Sequence, residues 1–270
     1  VKEFTDLQGL VGGLYAHAQG ARRPVAQAIY EHYKPLSMED SIPSTVAGQA
    51  LSIADKVDTL RTCFAVGMIP SGSKDPFALR RAAQGVVKIL ADGALTVTLD
   101  ELCAGDEKLT AFFRERVDYY FREVRGFAYD EVNAVLAAGY GNLPDALARL
   151  EAVQAVRPTA DFEPLAAAFK RIKNILKQAG EIPAGAPDQA LFTEPEAALA
   201  AATDATDVAT GTYPERLARV ASLRPAVDAF FDKVLVNDPD PQVRVNRLRL
   251  LTNLINKFSS IADFSEIVTN

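Results

Sequence analysis

Leu95-Thr96-Val97-Thr98-Leu99 is the one stretch of this chain that reads as β-strand, with β-branched residues alternating over five positions. It is too short and isolated to build a sheet. Outward from it in both directions, apolar residues recur at three- and four-residue spacing, and Ala and Leu are abundant, so the periodicity is helical nearly throughout. The expected class is all-α. Asp75-Pro76, Leu143-Pro144 and Glu194-Pro195 each set a proline where a first helical turn tolerates its missing N–H. Helices are expected over 5–19, 22–34, 45–66, 76–92, 107–124, 129–139, 144–156, 162–179, 195–209, 213–236 and 240–260. Segments 34–44, 67–75 and 180–188 are rich in Pro, Ser, Gly or Ala and read as connections. The compositional seam at 92–106 places a domain boundary there, giving domains 1–105 and 106–270.

A chain of 270 residues, 49% hydrophobic and 24% charged, has ordinary globular composition. No apolar run approaches the roughly 20 residues of a membrane span, and the first residues lack the basic-then-apolar layout of a secretory signal, so no membrane partner and a cytoplasmic location are expected. The net charge of −6 disfavours indiscriminate coating of nucleic acid, and no DNA partner is expected. Cys63 and Cys103 form no CxxC pair, which leaves no zinc knuckle or redox motif and suggests reduced, half-buried helix residues.

Catalytic motifs are absent too. The chain has no GxSxG elbow, no GxxxxGK[ST] loop and no GxGxxG after a strand. Gly72-Ser73-Lys74 precedes a helix but lacks the upstream glycine and strand of a phosphate loop, and reads as a tight turn followed by an Asp75 cap.

Ile53-Ala54-Asp55-Lys56-Val57-Asp58-Thr59-Leu60-Arg61-Thr62, followed by Gly72-Ser73-Lys74-Asp75-Pro76-Phe77-Ala78-Leu79-Arg80-Arg81-Ala82-Ala83, resembles a long signature of the glycyl-tRNA synthetase beta subunit family. Glu3-Phe4-Thr5-Asp6-Leu7-Gln8-Gly9, Phe169-Lys170-Arg171-Ile172-Lys173-Asn174-Ile175-Leu176, and Phe230-Phe231-Asp232-Lys233-Val234 with Asn246-Arg247-Leu248 are similar to the same family in the same order. The resemblance implies that Val1 is an internal position of a longer beta chain. It implies an HD-like helical domain over 1–105 with a degenerate metal site, then an anticodon-binding helical domain of the arginyl-tRNA synthetase type over 106–270. The implied function is binding of tRNA(Gly), anticodon included, for glycylation by a separate catalytic alpha subunit. ATP and magnesium belong to that subunit, so no cofactor and no active site are expected in this portion.

HD phosphohydrolases need a His, a His-Asp pair and a distal Asp around metal, because such ligands must surround the ion that activates water. Asp55 resembles the distal Asp. The two histidines, His17 and His32, are followed by Ala18 and Tyr33, so the His-Asp pair is missing and no metal is expected. A divergent phosphohydrolase using His17, His32, Asp55 and Asp58 is the rival reading; a subunit-assembly scaffold is another. Asp55, Asp58 and Arg61 are spaced for intrahelical ion pairing, which accounts for them without metal.

The helix from Phe162 sets Leu165, Phe169, Ile172 and Leu176 along one seam and Lys170, Lys173 and Lys177 along a neighbouring stripe. The last long helix sets Leu248, Leu251, Ile255 and Phe258 inward, with Arg244 and Arg247 along an adjoining face. Solvated charge would explain such stripes, but the resemblance favours RNA contact. The candidate tRNA-binding residues are therefore Lys170, Arg171, Lys173, Lys177, Lys233, Arg244, Asn246 and Arg247, with a further basic cluster of Lys74, Arg80 and Arg81. Arg80 and Arg81 are expected on the outside of a helix whose apolar positions Phe77, Leu79, Val86 and Leu90 point elsewhere. Tyr213, Phe230, Phe231 and Arg247 are candidates for a plane on which an unstacked base lies.

Overall fold

A computed structural model describes residues 3–269. Among the described residues it is all-helical, and its one bridge of β type is the pairing of Ser71 with Lys74. The helices are α1 (Val11–Ala18), α2 (Arg23–Glu31), α3 (Val46–Ala65), α4 (Leu79–Asp92), α5 (Leu99–Cys103), α6 (Glu107–Tyr119), α7 (Tyr129–Ala137), α8 (Leu143–Val156), α9 (Phe162–Ala179), α10 (Glu194–Ala205), α11 (Tyr213–Ala221), α12 (Arg224–Lys233) and α13 (Pro241–Phe258). A π-helical stretch, Tyr120–Val124, extends α6.

Contacts divide the chain into two compact units, residues 1–126 with 140–147, and residues 127–139 with 148–270. The seam read at 92–106 lies within the first unit. There α6 packs on α3, α4 and α5 and buries Leu109, Phe113 and Val117, so the side chains that follow the seam complete the core that precedes it.

In the first unit, α3 begins where the Thr45 hydroxyl accepts from Gly48 N, an N-cap that satisfies one of the free amides of the first turn. Its Ile53, Val57, Leu60 and Phe64 recur at four and three residues and are all buried, the stripe a helix must cover. They face α2 and α4, and Leu79, Val86, Ile89 and Leu90 of α4 fill the same core. α1 packs on α2 through Gly12 and Gly13. A Cβ on Gly13 would come within 2.6 Å of Tyr30 Cβ, so only glycine permits this approach.

In the second unit, α9, α10, α12 and α13 pack on one another, and the 3-10 turn Phe264–Glu266 closes against α9 and α7. Phe169 stands edge-on to Phe258 at 6.0 Å and to Phe264 at 5.4 Å, the tilted geometry that aromatic quadrupoles favour. Arg149 is buried and donates to the carbonyls of Val135, Gly139 and Ile261.

Several expected elements differ in detail. Leu95–Leu99 is no strand: Thr98 accepts from Glu101 N while Glu101 Oε2 accepts from Thr98 N at 2.7 Å, a capping box that starts α5. The expected 5–19 helix is interrupted at Gly9, which has φ +79. The 76–92 helix starts at Leu79, with Asp75 accepting from the amides of Leu79 and Arg80 at 2.8 and 3.0 Å. The 213–236 helix breaks at Ser222 and Leu223 ahead of Pro225, whose ring and missing N–H forbid continuation.

Candidate functional site

α9 carries its expected seam: Leu165, Phe169 and Ile172 are buried and Leu176 is half-buried, while Lys170, Arg171, Lys173 and Lys177 are exposed on the remaining surface. The four cations differ in their surroundings. Lys170 and Lys177 make no hydrogen bond or ion pair among the described residues. Lys173 reaches the carboxylates of Asp263 and Glu266; partial burial works against its charge, and these acids more than offset it, raising its pKa. The Arg171 guanidinium lies 4.0 Å from the centroid of Phe231, a cation–π stack on the surface of the unit.

α13 does not present the second basic face that spacing suggests. Arg244 is exposed, and Leu248, Leu251 and Phe258 are buried as expected. Arg247 is 7% exposed, with Nε donating to Glu196 Oε1 at 2.9 Å and a terminal nitrogen donating to Asp238 at 2.6 Å and to the Leu235 carbonyl at 2.8 Å. Its Nε and one terminal nitrogen are thus engaged inside the unit. Burial opposes its charge, and Glu196 and Asp238 together raise its pKa. Glu196 is fully buried; desolvation would raise its pKa, but bonds from Thr193 and from Arg247 bring it below the ordinary carboxylate value.

Asn246 is likewise buried. Its side chain accepts from Asp188 N at 2.6 Å and donates to Asp188 O at 2.9 Å, fastening the end of the 180–188 connection to α13. Lys233, at the end of α12, is exposed. Of the aromatic candidates, Phe230 is core, Phe231 is half-buried under Arg171, and Tyr213 carries Arg216 at 4.8 Å from its ring.

The cluster around Gly72 belongs to the first unit. Gly72, with φ +51, sits in a turn closed by reciprocal bonds between Ser71 and Lys74, the tight turn expected there. Lys74 and Arg81 are exposed, whereas Arg80 is half-buried and donates to Gly72 O at 2.7 Å. Leu79, Val86 and Leu90 point inward, but Phe77 lies before the helix start and is 52% exposed.

The rival metal reading finds no fit. His32 Nδ1 is bound to Ile29 O at 2.6 Å, and the Lys56 ammonium donates to the carbonyls of His32, Tyr33 and Lys34 and to Ser52 Oγ. A divalent ion beside Asp55 would meet this buried cation. Among the described residues no three His, Cys, Asp or Glu side chains are grouped to hold metal. The expected pairing of Arg61 with Asp58 is also absent, because Arg61 instead donates to the Leu102 and Glu101 carbonyls at 3.0 and 3.3 Å. Cys63 is half-buried and Cys103 buried, both as free thiols. No helix among the described residues is long and apolar enough to cross a membrane.

Comparison with known proteins gives this arrangement its family. A model of the glycyl-tRNA synthetase beta subunit matches residues 1–137, just over half of the chain. The glycine–tRNA ligase beta subunit of Acidobacterium capsulatum is 52% identical over the whole of this chain and 42% of its own length. The corresponding subunits of Geobacter metallireducens and Phenylobacterium zucineum are 41% and 42% identical over 99% of this chain and 42% and 41% of their own lengths. The chain thus spans about two fifths of the length of these relatives, and it belongs to the glycyl-tRNA synthetase beta subunit family.

Proposed function

We propose that this chain is a tRNA-holding portion of a glycyl-tRNA synthetase, which captures tRNA(Gly) for glycylation by a separate alpha subunit and makes or breaks no bond itself. In this reading, the first compact unit is an HD-like domain without HD chemistry and the second an anticodon-binding domain, with α6 assigned to the first because it packs on α3, α4 and α5. ATP and magnesium act on the alpha subunit, and the work is done in the cytoplasm.

The observation that carries the proposal is the cationic surface of α9. Lys170 and Lys177 extend from a helix whose other side is locked into the core, with no internal acid neutralising them, in a chain that is acidic overall. Two such cations, two turns apart on one face of the helix, can each meet a backbone phosphate, and phosphate contacts position an RNA without reading its sequence. The adjacent Arg171–Phe231 stack offers a planar guanidinium on which an unstacked base can lie. Arg244 and Lys233 would extend this surface, and Lys74 and Arg81 would supply phosphate contacts from the first unit. Asn246 and Arg247 support the surface from within.

The test is titration of the chain with transcribed tRNA(Gly) and with an anticodon-swapped transcript at two salt concentrations. The expected result is tighter binding to the cognate anticodon, with affinity falling as salt rises. Equal binding to both transcripts would reduce the site to a basic surface, and no binding to either would end the proposal.

A further inference from the structure

The first unit contains a cavity of about 540 Å³ at the junction of α2, α3 and the start of α4, which the α9 surface does not involve. Its size falls within the range of about 300–1,000 Å³ typical of small-ligand sites. Three aromatic rings, from Tyr30, Tyr33 and Phe77, line it and stay partly open to solvent. Exposed aromatics gathered on one concavity mark a surface with something to cover.

These rings are held in place. Gly9 lies so close to Tyr33 that a Cβ there would come within 2.8 Å of Tyr33 Cδ2, and Gly13 abuts Tyr30 in the same way. Behind Phe77, Ala78 takes φ +55 and ψ +36, a left-handed conformation that costs a non-glycine residue energy. Strain of this kind persists where surrounding structure enforces it and collects at ligand sites.

Lys56 spends its ammonium on four oxygens of the chain. Asp55 and Arg81, in contrast, are exposed and make no hydrogen bond or ion pair among the described residues. The cavity therefore offers stacking planes, one guanidinium and one carboxylate that make no hydrogen bond among the described residues, the carboxylate lying in the field of the neighbouring Lys56 charge. A guanidinium suits a phosphate. A carboxylate only accepts, and the base edge that presents two adjacent donors to it is the N1–H and N2–H₂ edge of guanine.

We propose that this cavity binds a single unstacked guanine nucleotide, with the base against the Tyr33 and Phe77 rings, its donor edge on Asp55 and its phosphate on Arg81. The guanosine belongs either to an RNA loop or end or to a free nucleotide. The inference takes the RNA source from the tRNA-holding reading above, but the recognition chemistry is testable without it.

The test titrates the chain with GMP and AMP, following tyrosine emission, which the absence of tryptophan leaves unobscured, and then with single-stranded tetranucleotides carrying one central G or A. GMP is expected to bind more tightly than AMP. Asp55→Asn should remove most of that preference, about tenfold, the scale of one bidentate base contact. Tyr33→Ala should weaken both nucleotides, and Arg81→Ala should weaken GMP more than guanosine. Tighter binding of the G tetranucleotide than of GMP assigns the source to RNA; the reverse assigns it to free nucleotide. Failure of every ligand to bind, or binding indifferent to Asp55→Asn and Tyr33→Ala, overturns the proposal. If tRNA(Gly) still binds through Lys170 and Lys177 while GMP does not, the cavity proposal falls alone. If GMP binds but tRNA(Gly) does not, the tRNA reading falls alone.

Discussion

Arg247 and Glu196 are a buried ion pair, 2.9 Å from Nε to Oε1, joining α13 to α10. The pair is structural. Removing the arginine would leave the fully buried Glu196 with a charge that Thr193 alone must stabilise, so Arg247→Met is expected to cost about 3 kcal/mol or more in urea unfolding. The double variant Arg247→Met with Glu196→Gln removes both charges and should recover a large part of that loss. If the single variant instead left stability unchanged and only weakened RNA binding, Arg247 would be a contact residue after all.

The same pair gives the second unit an acid limit. Glu196 has a folded-state pKa below the ordinary 4.5, so it contributes stability that is fully present above 4.5 and is lost as pH falls through the lowered value. Unfolding measured between pH 6 and pH 3 should therefore show the wild type losing more stability than the double variant without the pair. Parallel curves would show that the pair does not contribute to acid sensitivity.

Lys170→Ala with Lys177→Ala is the converse case. Both side chains are exposed and internally unpaired, so stability should stay within about 0.5 kcal/mol of wild type. Affinity for tRNA(Gly) should fall, and the slope of log affinity against log salt should flatten by about 0.7–0.9 for each phosphate contact removed. An unchanged slope would remove these lysines from the interface.

The difference between these residues explains how much the sequence could disclose. The α9 seam and its lysine stripe were legible because both depend on spacing within one helix, and 3.6 residues per turn fixes which side chains share a face. Arg247 was misplaced by the same argument: its position beside Leu248 and Leu251 resembles the edge of a stripe, but the acid that captures it lies 51 residues away, on α10. Asn246 is a similar case, with its partner 58 residues distant. Phe77 was assigned to a helix that begins two residues later, because the Asp75 carboxylate caps amides four and five residues onward. The cavity of the first unit depends on Gly9, Tyr33, Asp55 and Arg81 converging, and no local period reports that.

Asn246 also bears on how the second unit holds its long connection. Its amide supplies both bonds to the Asp188 backbone, so Asn246→Ala should leave the N–H and C=O of Asp188 without those partners and cost about 1–3 kcal/mol. The effect should be local: hydrogen exchange is expected to quicken in residues 186–191 and remain unchanged in α3 and α4. Uniform acceleration would mean that the contact supports the whole chain and not this segment.

Lys56 sets an alkaline signature of the first unit. Burial pushes its pKa from 10.5 down to about 8, with the neighbouring Asp55 opposing that shift. Between pH 8 and 10.5 the unfolded chain keeps a proton that the folded chain has released. Unfolding then takes up a proton, and stability gains with rising pH by as much as about 1.4 kcal/mol per unit. Compared with Lys56→Met, which cannot titrate, the wild type should hold a constant stability difference below pH 8 and gain on the variant from there to pH 10.5. The comparison cancels the other lysines and tyrosines that titrate in this range. If the wild type lost ground to Lys56→Met over the same interval, the carbonyls of His32, Tyr33 and Lys34 would be binding the ammonium more strongly than burial penalises it, and the charge itself would be holding α2 to α3.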